Sequence, residues 1–192
     1  MINEDLLLDS LNKFYENPYN GSKLLSVLNN EKSISLRSID WFITNYSKKN
    51  NIYYNVYKDN KDILSFKEKD NKLVSNLNVF QSYKSQLRAY SKKKFDPFCR
   101  RNRINFSCQG ENISTTLGQL NFFKWAISNL IVEYIVIHKN KIEHDMNTCL
   151  KEMKLNGSIS KKEGKRKKRQ ELSLSATRGL SRNNVSVRLE FN

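Results

Sequence analysis

The sequence predicts an α+β fold: several helices packed around a small, mostly antiparallel sheet, with a C-terminal strand after a basic linker. Three observations predict it. Apolar residues recur at helical spacing in several separate stretches. Residues 52–57 and 185–191 alternate instead, as half-buried strands do. Only two Pro and six Gly occur in 192 residues, too few for a loop-rich sandwich. Ten Phe, nine Tyr and two Trp supply a core from few positions, because each ring buries a large area.

Residues 1–30 read as helical in pieces. Leu6, Leu7, Leu8, Leu11, Phe14 and Tyr15 share one face. Residues 17–21, Asn-Pro-Tyr-Asn-Gly, read as a turn, and Ser22 as the cap of a short helix through Leu28. Ser35 begins a better helix, with Leu36, Ile39, Phe42, Ile43 and Tyr46 at helical spacing. The strand at 52–57 follows, with a turn at Asp59 and Asn60 and a returning partner at 63–66.

Phe80, Tyr83, Leu87 and Tyr90 give the next amphipathic helix, which Pro97 should stop. Residues 104–108 read as a short strand. Ser114 or Thr115 is expected to cap the strongest helix, with Leu117, Leu120, Phe123, Ile127, Ile131, Tyr134 and His138 on one side. A further helix covers 141–154. The expected organisation is a compact body at 1–156, a basic flexible linker at 157–172, and a segment at 173–192. Its strand at 185–191 should dock beside residues 52–57, because Val185, Val187, Leu189 and Phe191 form an apolar face needing burial.

Charge is concentrated rather than spread. The net charge is +15. Residues 84–103 carry eight cations and one acid, and residues 157–192 carry ten cations and three acids. The remaining residues are nearly neutral, with 16 cations and 15 acids. Lys and Asn have A/T-rich codons, so single residues of either type carry little weight. A codon bias would scatter Lys, however, and it does not favour Arg88, Arg100, Arg101, Arg103, Arg166 and Arg169.

Two zones are therefore candidates for binding phosphates. The first holds Lys84, Arg88, Lys92, Lys93, Lys94, Arg100, Arg101 and Arg103. Tyr83, Tyr90, Phe95 and Phe98 are interleaved with them, and such rings can stack on unpaired bases. The second holds Lys161, Lys162, Lys165, Arg166, Lys167, Lys168 and Arg169. It reads as a nucleic-acid arm, as a nuclear-import signal, or as a solubilising linker. On this reading Arg100, Arg101 and Arg103 should matter more to binding than Lys48, Lys49 and Lys58.

Other chemistry is less well supported. Cys99, Cys108, Cys149, His138 and His144 lack the paired spacings of structural zinc sites, and three cysteines make no disulfide framework. No metal or cofactor is expected. No phosphate-binding loop, nucleophile elbow or zinc-protease motif occurs, so an enzyme is not expected. Asp62, Glu68, Lys69 and Asp70 loosely suggest a metal-dependent nuclease, but such acids are usually solvated turn residues. Glu143, His144 and Asp145 read as a surface face. Residues 1–5 show neither a positive nor an apolar region, so no signal peptide is expected. The apolar stretch at 130–137 is too short to span a membrane.

Four stretches carry a resemblance: residues 35–42 (SLRSIDWF), 82–101 (SYKSQLRAYSKKKFDPFCRR), 115–126 (TTLGQLNFFKWA) and 176–187 (ATRGLSRNNVSV). The chain from about residue 33 onward resembles an uncharacterised family of proteins from the giant nucleocytoplasmic large DNA viruses, the mimivirus relatives. The resemblance implies a viral source with an A/T-rich genome and expression in an infected cell, in the viral factory, cytoplasm or nucleus. It carries no activity. The expectation is a non-enzymatic, weakly sequence-specific binder of DNA or RNA, acting in genome packaging, transcription or RNA handling. The alternative is a structural protein of the virion whose basic zones meet acidic protein partners.

Overall fold

A computed structural model describes residues 4–29, 34–59, 63–68, 71–100 and 102–159. The expected linker beyond Ile159 and the expected strand at 185–191 lie outside these residues. The fold is α+β, with the helices and strands sharing one apolar core.

Helix α1 (Glu4–Tyr15) buries Leu7, Leu11 and Tyr15, one residue per turn. Leu6 faces solvent, so the apolar face is narrower than the sequence suggested. Helix α2 (Pro18–Leu28) starts four residues earlier than its expected cap at Ser22. The Asn17 side chain accepts from the amide of Tyr19, and Pro18 occupies the first turn. Asn-Pro is thus a helix start here and not a turn, because a first-turn Pro forfeits no helical hydrogen bond.

Ser35 caps α3 (Leu36–Trp41), as expected, accepting from the Ser38 amide. The helix then widens into a π-helical turn (Phe42–Tyr46) before closing as α4 (Ser47–Lys49). The strands form two antiparallel sheets. Strand β1 (Tyr53–Lys58) lies between β2 (Leu64–Ser65) and β3 (Lys72–Asn78). Its pairing with β3 slips at Val56 and Tyr57.

Helix α5 (Val79–Tyr90) ends at Ser91, which takes a positive φ of 59°, well before Pro97. Strands β4 (Arg103–Cys108) and β5 (Glu111–Thr116) form a hairpin. Gln109 and Gly110 both have positive φ, 51° and 81°, as a two-residue hairpin turn requires. Residues 114 and 115 are therefore strand, and Thr116 is the cap of α6 (Leu117–Ser128), accepting from the Gln119 amide.

Helix α6 is buried on nearly all sides. It does not continue to His138. Leu130 adopts φ 54°, and the chain turns by 82° into α7 (Ile131–Ile159). A kink at His138 falls close to the expected boundary between two helices. Helix α7 carries the chain to Ile159, three residues beyond the expected end of the body. No single helix among the described residues is long and apolar enough to cross a membrane.

Candidate nucleic-acid interface

Asn78 starts α5 by accepting from the Gln81 amide. Phe80, Tyr83 and Leu87 turn inward. The helical repeat then places Lys84 and Arg88 one turn apart, about 6 Å along the axis, with Arg88 exposed. The Lys84 ammonium lies 5.7 Å from the centre of the Phe80 ring. The Lys48 ammonium, from α4, lies 5.5 Å from the same ring. An aromatic face attracts cations without neutralising them. Phe80 thus brings together two cations that are 36 residues apart in the sequence. Lys48, expected to lie outside the interface, belongs to this surface.

The segment after α5 behaves differently. Phe95 is 1% exposed and anchors it in the core. The first turn of α6 clamps its backbone: Gln119 Nε2 donates to Pro97 O at 2.8 Å, and Asn121 Nδ2 donates to Lys94 O at 2.8 Å. Gly118 permits this approach, since a Cβ there would meet Lys93 O at 3.0 Å. Two cations of the segment face carboxylates. Lys94 Nζ lies 3.3 Å from Glu4 Oε1. Arg100 grips Asp96 through Nε and Nη2, both at 3.1 Å, while its guanidinium covers Phe98 at 4.5 Å. Among the described residues, Lys48, Lys84, Arg88, Lys93 and Arg103 make no ion pair. Arg101 and the run from Lys161 to Arg169 lie outside the described residues.

Two of the four expected base-stacking rings are corrected by their burial. Tyr83 is 3% exposed and meets Phe95 and Trp125. Phe95 packs on Phe122 and Trp125. Neither offers a face to a base. Tyr90 is half-buried and lies parallel to Phe95 at 6.4 Å, and Phe98 is half-buried under Arg100. Burial raises the Tyr83 hydroxyl above its ordinary pKa, so it stays protonated.

A feature that the sequence did not reveal lies beside Lys48. Trp41, Thr44, Asn45, Lys48, Lys49, Asp145, Cys149 and Met153 line a pocket of about 370 Å³ between the π-helical turn and α7. Asp145, expected on a surface face, turns inward instead. Its carboxylate accepts from Trp41 Nε1 at 2.9 Å and from Lys49 Nζ at 2.6 Å. That hydrogen bond raises the Lys49 pKa. Desolvation, and then the Asp145 charge, raise the Cys149 thiol, so it stays neutral.

Among the described residues no three His, Cys, Asp or Glu side chains converge as a metal site would. Glu68 is exposed, and Asp62, Lys69 and Asp70 lie outside the described residues.

The chain belongs to a family of unknown function, DUF7197, whose model matches residues 2–163. It is similar to the uncharacterized protein L507 of Acanthamoeba polyphaga mimivirus, with 39% identity over 137 residues. That match takes in 68% of this chain and 48% of the relative, so the chain spans about half the length of L507. The resemblance to giant-virus proteins read from the sequence is therefore correct. No solved structure matches the chain.

Proposed function

We propose that this giant-virus family member binds nucleic acid through backbone phosphates, using a face built from α4 and α5. One observation carries the reading: Lys48 and Lys84 both lie against a single aromatic ring, with Arg88 one turn further along, and among the described residues no carboxylate pairs with any of the three. Lys93 and Arg103 add charge nearby in sequence, and the basic run at 161–169 adds more. Such a face contacts phosphates without reading bases, so binding is weakly sequence-specific. This suits packaging, transcription or RNA handling in an infected cell, without catalysis.

A second reading, a virion protein meeting a protein partner, is favoured by one observation. Strand β3 is a sheet edge among the described strands, and its Leu73 and Val74 are 53% and 52% exposed. Exposed strand edges recruit other chains. Salt separates the two readings. Phosphate binding gives a linear fall of log K with log salt, with a slope of about −0.9 per phosphate contacted on a duplex. We expect a slope of about −3 or steeper for any duplex sequence. Undetectable binding of DNA and RNA at low salt leaves the protein-partner reading.

A further inference from the structure

We infer that Tyr53, on the outer face of the β1–β3 sheet, stacks on one unpaired base of a single-stranded nucleic acid whose flanking phosphates lie against Lys48 and Lys84. The inference rests on the nucleic-acid reading and deepens it, since it names single strands as the preferred ligand.

Accessibility singles out this ring. Among the described residues, Tyr53 and Tyr19 are the exposed Phe, Tyr or Trp side chains, at 67% and 39%. The Lys23 ammonium lies 5.1 Å from the centre of the Tyr19 ring. No other described ring and no described cation lies over Tyr53. The strand explains why the ring points out. Tyr54 turns inward and stacks on Tyr134 at 5.0 Å, so Tyr53 faces the opposite side of the sheet. Asn55 shares that side, and Asn76, opposite it on β3, donates to Asn55 Oδ1 at 2.8 Å. Asn76 is also the diagonal neighbour of Tyr53, about 7–8 Å away, a separation that aromatic side chains bridge. Its own Oδ1 bonds no described group, and the residue is exposed, so this oxygen is open to the N–H edge of a base on the ring.

Placement joins the ring to the basic face. Ile52, the residue before Tyr53, donates to Ser47 O at 3.0 Å and accepts from the Val79 amide at 3.1 Å. Ser47 and Val79 immediately precede Lys48 and Phe80, and Phe80 is the ring that holds Lys48 and Lys84. Tyr53 itself stands opposite Asn78, the cap of α5. The ends of α4, β1 and α5 therefore meet at one corner, with the open ring beside the cations. Neither β1 nor β3 contains an acid to repel a phosphate chain, and Lys72 is exposed at the far end of β3. Every base has a face that can stack on a ring, so the contact is tolerant of sequence. A duplex keeps its bases stacked on one another, out of reach of Tyr53, so the ring adds affinity for single strands alone.

Substitution at Tyr53 tests this in the full-length protein. Tyr53→Ala should weaken binding of oligo-dT, about ten nucleotides long, by about tenfold, the worth of one base stacked on a ring. Duplex affinity should be unchanged. The slope of log K against log salt should also stay as in wild type, because no cation is lost. Tyr53→Trp keeps a stacking face and should bind oligo-dT at least as tightly as wild type. If Tyr53→Ala fails to fold, Tyr53→Thr retains strand propensity and should act in the same direction. Folded variants without the ring that bind oligo-dT as wild type does, or that lose oligo-dT and duplex equally, overturn the stacking contact while leaving the phosphate-binding face in place. Failure of wild type to bind either form at low salt overturns both.

Discussion

One group of cations lies inside the charge-dense stretch at 84–103 and a second joins the start of that stretch to α4, yet the fold treats them differently. In the segment after α5, Lys94 faces Glu4 and Arg100 grips Asp96. On the α4–α5 face, Lys48 and Lys84 lie over an aromatic ring. A carboxylate cancels a cation's field at a distance, while a ring holds the cation and leaves its charge. Charge density along a sequence therefore overstates what the segment after α5 offers to a phosphate. It also understates the α4–α5 face, whose first member comes from a part of the chain that is neutral on average.

The comparison depends on the segment being anchored, and removing the anchor should have the largest effect. Phe95→Ala opens a cavity among Tyr83, Phe122 and Trp125. It should cost about 3–5 kcal/mol of stability, measured by urea unfolding. A loss below about 1 kcal/mol would show that the segment is not held in the core.

Reversing charge sharpens the contrast directly. Lys48→Glu, Lys84→Glu and Arg88→Glu together should lower the salt slope by about three units and duplex affinity by more than tenfold. Reversing Lys94 and Arg100 also places each new acid opposite Glu4 or Asp96, so fold must be checked in that variant by circular dichroism. Its effect per charge on the slope should be smaller. Equal effects per charge would mean that a global field, and not a local face, governs binding.

How legible this was in the sequence depends on the range of the contacts. Helix α3 was readable from its Ser35 cap and apolar spacing, and α5 from apolar spacing alone, because those signals are local. Strand β3 was not, since of its residues only Leu77 is buried and Leu73 and Val74 lie adjacent without alternation. Strand β5 is almost wholly polar, and its turn uses Gln-Gly in place of the commoner Asn-Gly. The 82° bend after α6 hangs on Leu130, a residue type that seldom adopts positive φ. The basic zone was visible as composition, but the ion pairs that divide it are tertiary. The pocket joins Trp41 to Asp145 across 104 residues, and no local pattern announces such a contact.

A gentler change addresses the same division. Asp96→Asn removes a carboxylate from Arg100 while keeping a cap for the Phe98 amide, which donates to Asp96 Oδ1. Exposed pairs of this kind contribute about 0–1 kcal/mol. Stability should hardly change, and nucleic-acid affinity should rise a few-fold at low salt as Arg100 is released. Unchanged affinity would mean that Arg100 does not reach the ligand even when released.

The smallest expected effect lies on α7 and serves as a control. His138 sits at the kink of α7, with its ring 4.4 Å from that of Tyr134. Burial, and then the charge of Lys141, lower its pKa below the ordinary 6.5. As pH falls through 6.5 the unfolded chain takes up the proton before the folded one does. Stability contributed by the neutral ring is therefore present above about pH 6.5 and declines below it, until the folded imidazole is also protonated. His138 is only partly buried, so solvent screening keeps the change well under that of a core substitution. The melting temperature should fall slightly between pH 7.5 and pH 5.5, and His138→Gln should flatten that fall. Nucleic-acid affinity should weaken no more at pH 7.5 in His138→Gln than in wild type, because His138 is not part of the α4–α5 face. A loss of affinity in this variant comparable to that of the Lys48, Lys84 and Arg88 reversals would place α7 in the interface and undo the division between a binding face and a structural one.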